Sequence, residues 1–216
     1  MSWAQKKKAM MMRRPSRLPS GYRELAHITA DGNAYFSIDK TVPIGYTVKS
    51  IVRRESAPTG STTNVAVGGY AGGNFMAYAG FGTTANRVNT YYGTTSNYVT
   101  LEQLYGLATT VETTFNARSI VMTATNDSGA ASNTVTRSSN IPDSTLLRIA
   151  YNGYSAAGNF VGDILGVEVV TGNGAPYITL VTCERLSDGK IGMYDMVSGE
   201  FHSSAGSSEF TGGPYV

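Results

Sequence analysis

Apolar and polar positions alternate in short runs through most of the chain, and turn residues interrupt the alternation about every 8–12 positions. Ala34–Ile38 alternates, so that Tyr35 and Phe36 face opposite ways. Tyr46, Val48, Ser50 and Val52 fall on one face of a run whose other face holds Thr47, Lys49, Ile51 and Arg53. Further strands are predicted over Asn74–Phe81, Arg87–Tyr92, Leu107–Phe115, Arg118–Thr125, Asn133–Arg137, Leu146–Tyr151, Ile164–Thr171 and Tyr177–Cys183. Asn126-Asp127-Ser128-Gly129 separates two of them as a turn cluster. Lys190–Phe201 reads as two short strands joined by a tight turn, with Asp188-Gly189 before it and Ser198-Gly199 inside it. No helical period appears between residues 18 and 216, and many short strands with regular turns predict one antiparallel β-sandwich.

Composition agrees with that class. The 216 residues include 25 glycines and 14 tyrosines, with 15% charged side chains. That balance suits short strands and turns, and argues against a helical bundle or a disordered polymer. The single cysteine, Cys183, excludes an internal disulfide, and its apolar surroundings predict a buried structural thiol. No run approaches the ~20 apolar residues that span a membrane as a helix.

Charge divides the chain in two. Residues 1–17 hold Lys6, Lys7, Lys8, Arg13, Arg14 and Arg17 and no acid, giving +6; the other 199 residues hold 11 basic and 15 acidic side chains, giving −4. We therefore expect a basic, Met-rich N-terminal arm over residues 1–17 and a sandwich domain over residues 18–216. Trp3, Met10, Met11 and Met12 suit an irregular apolar groove on a partner, and Lys6, Lys7, Lys8, Arg13 and Arg14 suit an acidic one. Arg13, Arg14 and Pro15 interrupt any apolar core of a signal peptide. The expectation is a protein made and kept in a cytoplasm, or released by lysis.

Two blocks carry a family resemblance. Near the end stand Val181-Thr182-Cys183-Glu184-Arg185, then Ser187 to Asp195, then Gly199-Glu200-Phe201 and Phe210-Thr211-Gly212-Gly213. Near the start stand Leu18-Pro19-Ser20-Gly21-Tyr22, Leu25, Ile28, Gly32 and Ala34 to Ile38. Together they resemble the concanavalin-like, laminin-G-like jelly-roll domains found in structural proteins of tailed bacteriophages and in surface proteins of gut bacteria. The resemblance implies an all-β jelly roll with the arm as its anchor. It also implies a virion location, other virion proteins as partners, and a homo-oligomer such as a trimer. Nucleic acid and membrane are not expected partners.

Candidate chemistry is sparse. Jelly-roll glycosidases need two carboxylates facing the sugar. Glu102, Glu112, Glu168 and Glu184 are scattered singly, and strand parity sets Asp163 and Glu168 on opposite faces. No enzyme is expected. No cofactor is expected either; the resemblance brings in one candidate ion, a structural Ca²⁺ on Asn126-Asp127-Ser128 or Asp163, although turn chemistry alone accounts for those residues. Glycan binding is the alternative function, through Tyr78, Tyr91, Tyr92 and Tyr98, with Tyr70 and Tyr105 in the same Tyr-rich body. Flat aromatic faces among amides and hydroxyls match the surface of a sugar. The leading expectation is a non-enzymatic phage structural protein, a capsid decoration or a tail-associated fibre, that displays the sandwich.

Overall fold

The computed structural model describes residues 17–57, 63–71, 73–82, 84, 86–144, 146–151 and 159–216. Trp3, Lys6, Lys7, Lys8, Met10, Met11, Met12, Arg13 and Arg14 lie outside the described residues. In chain order the strands are β1 (Tyr22–Glu24), β2 (Ile28–Asp31), β3 (Phe36–Ile38), β4 (Thr47–Arg53), β5 (Asn64–Ala71), β6 (Asn74–Phe81) and β7 (Arg87–Tyr92). They continue with β8 (Thr95–Thr100), β9 (Thr109–Asn116), β10 (Ser119–Asn126), β11 (Gly129–Thr136), β12 (Leu147–Ile149) and β13 (Val161–Val170). The last four are β14 (Pro176–Arg185), β15 (Lys190–Asp195), β16 (Glu200–Ser203) and β17 (Thr211–Gly212). There is no helix among the described residues.

The strands form two sheets. The larger runs β11-β10-β9-β4-β13-β14-β15-β16, with β1, β2 and β17 added at its margin; the smaller runs β3-β12-β5-β6-β7-β8. Every pairing between these strands is antiparallel. The inner faces meet in one core. Tyr78 of the smaller sheet packs edge-on against Phe115 of the larger, with ring centroids 4.9 Å apart, and Phe36 stacks on Phe210 at 4.2 Å. Val48, Ser50 and Val52 of β4 point inward, as their alternation requires.

Side chains also close the sandwich along one flank. The amide of Asn97, buried at the edge of the smaller sheet, donates to the Ile120 and Asn133 carbonyls of the larger, each at 3.0 Å. Asn133 returns a bond to the Tyr98 carbonyl at 3.2 Å.

Two hairpins of one design end the larger sheet. Gly189 N donates to Arg185 O and Gly199 N to Asp195 O, each at 2.8 Å, and both glycines have positive φ, of 70° and 77°. A side chain with a Cβ is strained there. The second turn is braced from within. Asp195, 1% exposed, accepts Thr179 N and Val197 N on Oδ1, each at 3.0 Å. Its Oδ2 accepts Ser198 Oγ at 2.8 Å and Lys40 Nζ at 3.2 Å. Burial pushes the Asp195 carboxyl up, but the hydrogen bonds from Thr179, Val197, Ser198 and Lys40 together outweigh it and hold the group below the usual aspartate range.

A carboxyl group with a lowered folded pKa contributes stability above its unfolded pKa and loses it as pH falls through the folded value. Asp195→Asn should therefore cost about 3 kcal/mol at neutral pH, because it removes a charge that four donors solvate. Thermal melts should show Tm lower by roughly 6–12 °C at pH 7. The gap between variant and wild type should narrow as the pH is taken below about 4. Equal Tm values at pH 7 would contradict the role given to this carboxylate.

Candidate functional site

The outer face of the smaller sheet gathers aromatic, amide and guanidinium groups. Along β7 the alternation buries Val88, Thr90 and Tyr92 and turns Arg87, Asn89 and Tyr91 outward; along β8 it buries Asn97 and Val99 and turns Ser96, Tyr98 and Thr100 outward. The register sets Asn89 opposite Tyr98 and Tyr91 opposite Ser96. Phe75 of β6 meets Tyr91 with ring centroids 5.1 Å apart, and Tyr70 of β5 lies opposite Phe75. The Arg87 guanidinium lies over the Tyr98 ring, 3.3 Å from its centroid. Arg87 is the one charged residue between 64 and 100, and among the described residues it makes no ion pair.

The floor between these groups is made of small residues. A Cβ on Gly80 would lie 2.7 Å from the Thr63 methyl, and one on Gly82 would collide with the Asn89 amide. Both glycines let a neighbouring side chain lie close against the strand. The Tyr91 hydroxyl is held by Thr63, and burial pushes its phenol up to about 12.

This arrangement corrects two of the four tyrosines expected to face a glycan. Tyr78 is 2% exposed and fills the space between the sheets; Tyr92 is 5% exposed, with Arg137 over its ring at 4.6 Å and Asn74 donating to its hydroxyl at 3.3 Å. Neither can offer a ring face to a sugar. Tyr91 and Tyr92 are adjacent on one strand, so only one of them can point outward. Tyr91 is half-buried and Tyr98 is 45% exposed, and both remain on the outer face. Phe75, Asn89 and Arg87 complete the cluster. Their sequence signal was the same alternation that placed Tyr91, read outward from each strand.

Asp163 and Glu168 share one face of β13, against the opposite facing expected from strand parity. Opposite Asp163 stands Arg53, and opposite Glu168 stands Lys49; the pairing shifts at Leu165. The extra residue is a β-bulge that restores both acids to the outer face. Four strand positions on β4 still separate them by about 13 Å, beyond the carboxylate spacings of glycosidases. Asp163 is already engaged by Arg53 Nη2 at 2.5 Å and Thr29 Oγ1 at 2.6 Å, with His27 Nε2 at 3.8 Å. The oxygens considered for calcium have other duties too. Asn126 Oδ1 accepts Ser128 N at 2.9 Å and Ser128 Oγ at 2.7 Å, which clasps its own turn. Among the described residues no three His, Cys, Asp or Glu side chains converge as a metal site.

On the outer face of the larger sheet, Arg17 pairs with Glu24 at 2.6 Å and borders a cavity of about 180 Å³ shared with Lys49, Ile51, Gly166 and Glu168. The described chain therefore begins on this face. Leu18 packs there with Val181 and Cys183, beside Tyr22, Tyr194 and Phe201.

No protein-family model matches the chain, and no curated protein matches it. Solved structures do. One is the LG1-3 region of the laminin alpha2 chain, at 7% identity and a TM-score of 0.51, over 91% of this chain and 31% of that one. Another is the mouse laminin alpha1 chain, domains LG4-5, at 13% identity and 0.49, over 82% of this chain and 48% of that one. A third is a pentraxin from Limulus polyphemus, at 12% identity and 0.43, over 68% and 74%. The chain thus spans about half the length of the laminin alpha1 fragment it matches.

The buried thiol yields a direct check. Cys183 is fully buried, and burial pushes it up to about 12. An aromatic disulfide reagent at pH 8 should leave Cys183 unmodified in the native protein and label it fully in denaturant; fast labelling without denaturant would refute the packing described. With two antiparallel sheets closed over one core, and with the laminin LG1-3 region as a structural match, the chain has the concanavalin-like, laminin-G-like jelly-roll fold.

Proposed function

We propose that this chain is a non-enzymatic recognition module, displayed on a tailed-bacteriophage particle, that binds host-surface glycans through the outer face of its smaller sheet. One observation carries the reading: Phe75, Tyr91 and Tyr98 share an exposed sheet face with Asn89 and an Arg87 that has no acidic partner among the described residues. Aromatic rings take the apolar C–H faces of a sugar. The amide and the guanidinium fork supply donors and acceptors for its hydroxyls. Arg87 already stacks on Tyr98, so its N–H groups are held in a plane before any ligand arrives.

The virion context rests on the two sequence blocks that resemble phage jelly rolls and on the basic N-terminal segment. The described chain begins beside Arg17 on the outer face of the larger sheet, and Arg87, Tyr91 and Tyr98 stand on the outer face of the smaller one. Attachment and recognition would then use opposite sides of the sandwich.

Two experiments test this proposal. Screening the protein on a glycan array, followed by titration of the best ligand, should show Tyr98→Ala and Arg87→Ala weakening binding about tenfold each, with Tm unchanged because both groups lie on the surface. Loss of no affinity in either variant would reject this face as the site. Deleting residues 1–16 should abolish incorporation into particles, counted by quantitative mass spectrometry, while the sandwich still melts cooperatively. Normal incorporation of the truncated chain would rule out the anchor.

A further inference from the structure

The larger sheet ends at β11, and no described strand pairs with its outer edge. Its sequence, GAASNTVT, contains no charge and no proline. Its pairing with β10 runs from Ser119 opposite Thr136 to Asn126 opposite Gly129 without a shift. Natural edge strands are usually shortened, bulged, charged or covered, because a straight and neutral edge is a template for another strand. The other edges here follow that practice. β3 and β16 are three and four residues long, and Tyr35 O beside β3 accepts Ala205 N at 2.8 Å. On β8 the Tyr98 carbonyl is capped by Asn133.

The backbone groups that β11 leaves free can be named. Arg137 N donates to Arg118 O at 2.8 Å, which fixes the phase of the ladder. Antiparallel pairs alternate between bonded and non-bonded, so Val135, Asn133, Ala131 and Gly129 bond to β10. Ala130, Ser132, Thr134 and Thr136 then direct N–H and C=O away from the sheet. Among the described residues one of these groups has a partner: Thr134 N donates to the neighbouring Asn133 Oδ1 at 2.9 Å.

We propose that β11 pairs with β11 of a second copy of this chain, antiparallel about a two-fold axis at Asn133. In that register Ser132 bonds to Thr134 of the second copy and Ala130 to Thr136, and symmetry repeats both pairs, for about eight backbone hydrogen bonds once each Thr134 N exchanges Asn133 Oδ1 for Ser132 O across the axis. The occupant follows from the edge itself. An alternating row of donors and acceptors on an antiparallel strand is its own complement under a two-fold rotation. A neutral strand meets its copy without like-charge repulsion, and the side chains brought together are uncharged: Asn133 beside Asn133 on the axis, Ser132 beside Thr134, and Ala131 beside Val135. The larger sheets of the two copies become one. The result is a closed dimer, in place of the trimer the family resemblance suggested, and it does not depend on the glycan reading.

Sedimentation equilibrium of the full chain up to about 100 µM should show a monomer–dimer equilibrium, with a Kd in the micromolar range expected of a small interface. Ser132→Pro removes an N–H to which no described residue bonds, and proline suits an edge strand. It should give a monomer throughout with Tm within roughly 2 °C of wild type. Asn133→Cys places two thiols on the axis at a non-bonded pair, with Cα atoms about 4.5 Å apart, inside disulfide reach. Mild oxidation should then yield a covalent dimer, with the buried Cys183 a bystander. A wild-type monomer at 100 µM, a Ser132→Pro variant that associates as well as wild type, or an Asn133→Cys variant that stays monomeric on oxidation would each overturn the proposal.

Discussion

Asp195 is the point at which the end of the chain is fastened to its beginning. Its carboxylate accepts from the backbone of β14 through Thr179, from its own turn through Val197 and Ser198, and from Lys40, which follows β3 of the opposite sheet. A buried carboxylate is costly unless donors replace the water it lost. Here they do, so the group stays ionised and each donor is fixed by the need to reach it. The preceding hairpin shows what changes when burial is removed. Asp188 braces the same kind of turn through Lys190 N at 3.3 Å and an ion pair with Arg185 at 2.6 Å. Arg185 holds its carboxyl down to about 2, yet the pair is open to solvent and salt, and neither sheet depends on it. The same local chemistry thus serves as a surface clip in one hairpin and as an inter-sheet tie in the next.

How much of this could be read from the residues depended on how local the cause was. The β14–β15–β16 hairpins were legible because Gly189 and Gly199 occupy positions that need positive φ, and β4 because it is buried on one face alone. β5 escaped notice. Seven of its eight residues are buried, so no alternation survives, and Gly68 and Gly69 carry no side chain to mark a facing. β8 escaped for the opposite reason. Its inward Asn97 is polar, and only the carbonyls of Ile120 and Asn133, distant in sequence, make that burial tolerable. The bulge at Leu165 is a third kind of failure: one added residue inverts the facing of everything beyond it, and nothing local but Gly166 hints at it.

The site was legible in composition and illegible in facing. A Tyr-rich body among amides pointed toward a polar recognition surface. Which tyrosines reach that surface depends on strand parity and on partners such as Phe115 and Thr63, and these are contacts across the fold. Tyr78 and Tyr98 carry the same ring; one closes the core and the other meets solvent.

The flank bonds join the two surfaces that matter most. Asn133 holds the Tyr98 carbonyl, so the strand bearing the exposed ring is tied to the β11 edge of the larger sheet. A second copy docked on that edge would fix β11 from its free side and thereby stiffen β8, which lowers the ordering cost of any ligand stacked on Tyr98. It would also set the two faces proposed for glycan binding at a constant separation within one rigid sheet. For a repetitive ligand such as a cell-surface polysaccharide, two weak sites in fixed geometry exceed one stronger site, provided both can engage at once. On the proposed reading a shallow, half-aromatic face would be a weak binder by itself, and pairing through β11 would compensate for that weakness.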